Sequence, residues 1–403
     1  MEDLFPNFSN QYNKTYRIRL NTLRPLIKHT DDCNLCDRIH DLNNYTKECM
    51  IIGILFISSD LKTTIFDNLN AIKNQHKLKE ITYFSKDIKY FLEDETGKIE
   101  LKMADKNEKF ISTGMILGFK GIMKCNKFNV SEIIFPTKDI KLEKSSKNNI
   151  KVKSAIKDAK IAFVSGVEIR KNNKNKEHLK IISDYLLMKG ITQIIIFGPF
   201  FDEDFDVFKK FIDSLNIEIK LIPELSDFGC LTYPLLPVHR NLFNKKIFSF
   251  HNPSLHDIYE NTFIFSSQGI IKDLLKYLPR DIKNIQSNPE GYRMHLNESD
   301  ISLEIDNKES YKNKIIKIIS GILDSRLLCP SGPDTLSLIP YSDTELLFID
   351  RPVDYFIVPN CTEVIFHKDW DTIVLGVPKF TDTHKIIILN LETKDYEVLE
   401  FEQ

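Results

Sequence analysis

The stretch from 160 to 223 constrains the fold of this chain more than any other. KIAFVSG (160–166), TQIIIFG (192–198) and NIEIKLIP (216–223) are short, nearly continuous apolar runs. Runs of that kind fit strands buried on both faces better than strands with one wet side. Between them KEHLKIISDYLLMKG (176–190), stopped by Gly190, and DEDFDVFKKFIDSL (202–215) read as helices. Repeated strand–helix–strand units predict a parallel sheet covered on both faces, with function sought at the carboxyl ends of its strands, just after FVSG, IIFG and LIP. Further strands are expected at 245–250 and 261–267, a helix at 309–324 and a tail of short strands from 345 to 403, with no internal repeat.

The amino-terminal third has a different texture. Residues 12–29 carry Tyr16, Leu20, Leu23 and Ile27 at helical spacing, and Pro25 predicts a kink or break. CMIIGILFI (49–57) reads as a buried strand, 90–103 as two strands around a Thr96-Gly97 turn, and 114–125 with 127–135 as a further pair. Five short strands in so few residues predict a small closed barrel of the OB type. From 137 to 160 the chain turns lysine-rich and loses its aromatics. The division expected is therefore a helical lead-in (1–45), a barrel (46–140), a solvated linker (141–160) and an α/β domain (161–403).

Charge limits the function. Lys and Arg number 55 against 57 Asp and Glu, a net charge of -2, so no global field draws the chain to a phosphate backbone. The lysine-rich stretch lacks the interleaved aromatics on which bases stack. A barrel-borne single-strand DNA site would instead use Tyr83, Phe84 and Tyr90 with Lys86 and Lys89; the same residues serve equally as barrel core and rim. The longest strongly apolar run, 50–57, is too short to span a bilayer, and the amino terminus has no basic segment ahead of an apolar one, so a soluble intracellular chain is expected. Seven scattered cysteines point to reduced thiols. His29, Cys33, Cys36 and His40 have a spacing that zinc could use, but the second distant ligand pair of a ribbon is missing, and a polar loop is the plainer reading.

The three strand-end loops resemble, in order and spacing, those of calcineurin-like metallophosphoesterases, which supply Asp-x-His, Gly-Asp-x-x-Asp and Gly-Asn-His-Asp/Glu. By that resemblance Gly166 stands where the first metal-binding Asp would be and Glu168 where the His would be. Pro199 replaces the bridging carboxylate, with Asp202 following. Leu225 and Ser226 take the Asn and His positions, and Asp227 keeps the last acid. The final Gly-His-x-His loop aligns with Val358-Pro359-Asn360-Cys361, which has no histidine. A two-metal centre needs several Asp, His and Asn ligands, so the expectation is a vestigial site with no metal and no cofactor. His251 and His256 follow a strand without carboxylate partners in the earlier loops, and are expected to be structural or interfacial.

LLCPSGPDTLSLIPY (327–341) is similar to the Pro-Thr-Ala-Pro-Asp-Thr-Leu loop of the B subunits of DNA polymerase delta, sharing Pro330, Pro333, Asp334, Thr335, Leu336 and Pro340. Residues 15–27, 51–56, 90–102, 353–356 and 372–380 also look like that family. Departures are a short loop at 169–176 and Ser337-Leu338 in place of Gly-Cys. The resemblance implies an OB-fold barrel joined to a calcineurin-like phosphoesterase-type α/β sandwich. It implies a non-catalytic, nuclear scaffold that holds the carboxyl-terminal metal-binding region of the polymerase catalytic subunit and a further accessory subunit, and through it reaches the sliding clamp. Leu328, Pro330, Pro333, Asp334, Thr335 and Leu336 are the expected partner contact, against the alternative of a packed turn. B subunits of polymerases alpha and epsilon share the architecture, and a working phosphoesterase or nuclease is the competing class.

Overall fold

The structure is a computed structural model that describes residues 12–29, 33–62, 82–85, 87–103, 109–137, 159–169, 181, 184–191, 193–201, 205–227, 231–244, 247–279, 308–339, 345 and 347–401. Its contacts divide the chain into two compact units. The first is Met1–Lys138 with Ile271–Thr335 and Pro340–Glu345; the second is Asp139–Ile270 with Leu336–Ile339 and Leu346–Gln403. Residues 271–335, assigned from sequence to the α/β domain, cluster instead with the barrel. The reason is physical: their 329–335 turn and Asp273 are held by Arg19, Lys62 and Tyr83, as described below. Of the lysine-rich linker expected at 141–160, residues 141–158 lie outside the described residues and Lys160 already opens the first strand of the second unit; the 170–180 loop also lies outside them.

In the first unit a helix spans Tyr12–Leu23 and gives way to a 3-10 turn, Arg24–Leu26, at Pro25, where a missing N–H costs a starting turn nothing. Six strands follow: β1 (Asn34–Cys36), β2 (Cys49–Ser58), β3 (Lys89–Glu93), β4 (Lys98–Lys102), β5 (Ile116–Lys124) and β6 (Lys127–Ile134). Their order is β1-β2-β3-β4-β6-β5, and an added β2–β5 pairing closes the barrel. Neighbours are antiparallel except for the β4–β6 and β1–β2 pairs. That five-strand closure is the OB arrangement the sequence predicts; the three-residue β1 is too short for periodicity to announce. Alternation puts Ile51, Leu55, Leu92, Leu101, Phe119 and Phe128, all essentially buried, on the inner face. The helix Lys308–Ser325 also belongs to this unit, and buries Ile315, Ile318, Ile319 and Ile322 along one stripe.

The second unit stacks two sheets. β7 (Lys160–Ser165), β8 (Gln193–Phe197), β9 (Glu218–Ile222) and β10 (Phe248–Ser249) run parallel, and β16 (Lys385–Asn390) and β17 (Asp395–Glu400) extend the sheet antiparallel beyond β7. The other sheet is β11 (Ser254–Ile258), β12 (Asn261–Phe265), β13 (Tyr355–Cys361), β15 (Ile373–Pro378) and β14 (Ile365–His367), in that order. Ile161, Phe163, Ile195 and Phe197 meet Phe263, Phe265, Tyr355 and Leu375 in the core between them. On its other face the first sheet packs Ile194, Ile196 and Leu221 against Phe208, Phe211 and Ile212 of the helix Phe205–Ser214. Both faces of the parallel strands are thus covered, one of them by a second sheet. Burying Phe163, Phe197, Phe263 and Phe265 alone contributes about 1.5–3 kcal/mol each.

Candidate functional site

The carboxyl ends of β7, β8, β9, β13 and β15 form one rim of the second unit. β7 ends at Ser165, whose hydroxyl bonds the carbonyls of Val377 (3.1 Å) and Pro378 (2.9 Å) and accepts from the Asn360 N–H at 3.1 Å. Gly166 follows with φ +62, and a Cβ there would lie 2.5 Å from Asn360 Oδ1 and 2.6 Å from Lys379 Cγ. No aspartate fits this position without displacing both neighbours. Glu168, also at positive φ, pairs with Lys379 Nζ at 2.8 Å. After β8, Asn360 Nδ2 donates to the Gly198 carbonyl at 2.8 Å, and Pro199 offers no side-chain donor atom.

After β9 come two buried carboxylates. Glu224 accepts from Ser267 Oγ (2.7 Å), the Gln268 N–H (2.9 Å) and Asn252 Nδ2 (3.3 Å). Tyr233 Oη lies 2.9 Å from Ser267 Oγ and continues the network. Asp227 accepts from the N–H groups of Phe200 and Glu224, both at 2.8 Å. Burial pushes Glu224 up to about 7 and Asp227 up to about 6, against the lowering effect of these hydrogen bonds. Asp227 is thus an internal staple between two strand-end loops. Leu225 and Ser226 lie in the turn between the two acids; Asp202 lies outside the described residues. Among the described residues no three His, Cys, Asp or Glu side chains group as a metal site.

The other sequence candidates are dispersed. The His256 ring stacks on Phe250 at 3.8 Å, and burial lowers its imidazole to about 4; burial lowers His251 as well. His29 Nε2 lies 2.5 Å from the Cys33 carbonyl, Cys36 Sγ donates to the Arg38 carbonyl, and His40 Nδ1 faces Asp41. The His29, Cys36 and His40 side chains therefore each engage a different local group, and Cys33 offers its backbone carbonyl to His29. In the barrel unit Tyr83 is buried, packs edge-on to Tyr277 and donates to Asp273 at 3.2 Å, so it is no stacking platform. Phe84 is exposed, Tyr90 half-buried and Lys89 exposed; Lys86 lies outside the described residues.

The proline-rich loop is far more enclosed than its composition predicts. Leu328, Cys329, Pro330 and Ser331 are buried, and Leu328 and Pro330 are thereby removed as surface contacts. The cause is Arg19, fully buried on the apolar stripe of the first helix. Its guanidinium donates to the carbonyls of Cys329 (3.3 Å), Pro330 (3.2 Å) and Gly332 (2.6 Å) and to Glu345 Oε2 (2.8 Å). Asp273 holds the other side, accepting from Ser331 Oγ (2.7 Å) and Thr335 Oγ1 (2.5 Å). Lys62 bonds Asp334, and Gly114, at φ +86, admits the Pro330 carbonyl where a Cβ would come within 2.0 Å. Pro333, Asp334, Thr335 and Leu336 remain half-buried and Ser337 exposed; Pro340 lies outside the described residues.

Comparison with known proteins agrees with both units. Residues 11–133 match the DNA polymerase delta subunit OB-fold domain family, and residues 205–367 match the B-subunit family of DNA polymerases alpha and epsilon. The DNA polymerase delta small subunit of Saccharomyces cerevisiae is 24% identical over 462 residues, covering 98% of this chain and 90% of that protein. That of Oryza sativa subsp. japonica is 23% identical, covering 88% of this chain and 84% of its own length. Among solved structures, an archaeal phosphodiesterase aligns with 60% of this chain and 99% of its own at 14% identity and a TM-score of 0.31. With a barrel of OB topology and a two-sheet α/β unit, the chain is similar along nearly its whole length to small subunits of DNA polymerase delta.

Proposed function

We propose that the chain is the non-catalytic scaffold of a delta-type replicative polymerase. On this reading it docks the carboxyl-terminal metal-binding region of the catalytic subunit and a further accessory subunit, reaches the sliding clamp only through the latter, and works in the nucleus. The observation that carries the assignment is alignment with delta small subunits over 98% of the chain.

Absence of catalysis is supported by the chemistry of the rim. Hydrolysis by a metal pair needs oxygen and nitrogen ligands that bridge and flank two ions. Gly166 and Pro199 supply none, both Asp227 oxygens already accept backbone N–H bonds, and an ammonium lies beside Glu168. The residues present do not fit a two-metal centre.

The half-buried stretch 333–336 is the proposed contact with the catalytic subunit's tail, since partly open proline-flanked turns lose little conformational entropy on binding. Leu336→Ala and Asp334→Ala, measured separately for binding to that tail by calorimetry, test it. Weakening of about tenfold or more by Leu336→Ala with an unchanged melting curve is the expected result. Unchanged affinity in both variants would remove this stretch from the interface.

A further inference from the structure

One outer face of the barrel carries an arrangement that its own packing does not need. β2, β3 and β4 lie side by side with Leu55, Leu92 and Leu101 buried, so alternation turns the flanking positions outward. There Phe56 pairs across with Phe91, their ring centroids 6.4 Å apart. The Lys98 ammonium stands 4.1 Å from the Phe56 ring centre and 4.5 Å from that of Phe91, on a side chain that is 42% exposed. Both rings are thus reached by a polar head that is itself in water. Two residues along β2, Ser58 lies opposite Lys89, and one step beyond the Tyr90–Leu101 pair the register sets Lys89 opposite Lys102. Lys89 and Lys102 are exposed, and among the described residues neither has an ion pair or a side-chain hydrogen bond. The other lysines of this face are matched: Lys98 by Glu93 and Lys127 by Glu100, both at 2.6 Å, and Lys62 by Asp334.

Like charges directly opposite each other on a sheet cost stability, and nothing in the barrel core requires them at 89 and 102. The face therefore sets two unpaired ammonium groups beside a pair of outward aromatic rings, about 7 Å away along the strands. We propose that this face binds single-stranded nucleic acid, with phosphates on Lys89 and Lys102 and a base stacked on Phe56 and Phe91 once Lys98 swings aside. Strand binding without sequence preference uses this combination, a positive track next to rings on which bases stack. An acidic peptide would satisfy the lysines and leave the rings unused, and a duplex would keep its bases from them. Tyr90, paired with the buried Ile57, belongs to the opposite face and takes no part. The site is additional to the scaffold role and does not depend on it.

Fluorescence anisotropy of a labelled oligothymidylate of about 20 nucleotides, titrated with the full-length chain at about 50 mM salt, tests the proposal. Wild type is expected to bind with a dissociation constant of about 100 µM or tighter. Lys89→Gln/Lys102→Gln should weaken binding at least about tenfold and reduce the slope of log affinity against log salt by about 1.4, roughly 0.7 for each lost phosphate contact. Its melting temperature should hold or rise, because the like-charge pair is gone. Phe56→Leu/Phe91→Leu should weaken binding about fivefold or more and leave the salt slope unchanged, which separates stacking from charge. A uridylate strand of the same length distinguishes RNA from DNA as the ligand, and binding of either supports the site. No binding by wild type, or undiminished affinity in either folded double variant, overturns the proposal and leaves the scaffold reading standing. Displacement of the strand by polyglutamate as readily as by unlabelled oligothymidylate overturns it in favour of an acidic-peptide site.

Discussion

Arg19→Met removes the guanidinium and keeps most of the aliphatic volume. Four bonds are lost: one to Glu345, which is itself buried, and three to the carbonyls of Cys329, Pro330 and Gly332. Breaking a buried ion pair by deleting one partner costs about 3–5 kcal/mol, mostly because the remaining charge is stranded. The orphaned carbonyls would add roughly 1–3 kcal/mol each if none could relax, but the loop can rotate toward water and the terms do not sum. A loss of about 4 kcal/mol from the barrel unit is therefore expected, a large part of the roughly 5–15 kcal/mol that a domain has. Urea titration with hydrogen-exchange readout at the Thr335 amide, which bonds the Ser331 carbonyl at 3.0 Å, measures it where the loop is pinned. Adding Glu345→Leu should return about 2 kcal/mol, because the stranded charge goes with it. Arg19→Met within about 1 kcal/mol of wild type would refute the view that this side chain holds the loop.

Other expectations are as direct. Burial raises Glu224 in the native state from 4.5 to about 7, so the folded form holds a proton that the unfolded form gives up. Stability of the second unit should thus fall as pH rises from about 4.5 to about 7, by about 3 kcal/mol, and level off above. Glu224→Gln should flatten that slope in pH-dependent denaturation, and an unchanged slope would contradict the assignment. Gly166→Asp should destabilise the same unit, since its Cβ meets Asn360 and Lys379 at under 3 Å; a soluble variant with a wild-type melting curve would show that the rim opens easily. Asp273→Asn should lower barrel-unit stability by about 1–3 kcal/mol through weaker bonds to Ser331, Thr335 and Tyr83, read by the same urea assay.

Much of this was legible in the sequence, for reasons that differ by element. The barrel strands announce themselves by alternation around Leu55, Leu92 and Leu101, and β7, β8 and β9 by apolar runs that only a doubly covered sheet tolerates. The strand-end positions followed from topology, because parallel strands deliver their loops to one rim. What stayed hidden is long-range. Lys379 reads as an ordinary lysine after a strand; only the return of β15 beside β13 brings it over Gly166. Arg19 carried a faint signal, sitting among Tyr16, Leu20 and Leu23 on an apolar stripe where a solvated arginine does not belong. The 327–335 loop looks exposed because proline and glycine usually mark surface turns, yet Arg19 and Asp273 satisfy its backbone and hydroxyls from both sides. The discontinuous first unit has the same origin: no local pattern ties residues 271–335 to a barrel that precedes them.

The scaffold account is tested most directly by co-expressing the full chain with the carboxyl-terminal region of the delta catalytic subunit from the same organism. Mass by light scattering and Mn2+-dependent phosphodiesterase activity are then measured on one sample. A stable equimolar complex without hydrolysis is the result the account predicts; a chain that forms no complex yet hydrolyses the phosphodiester would contradict it.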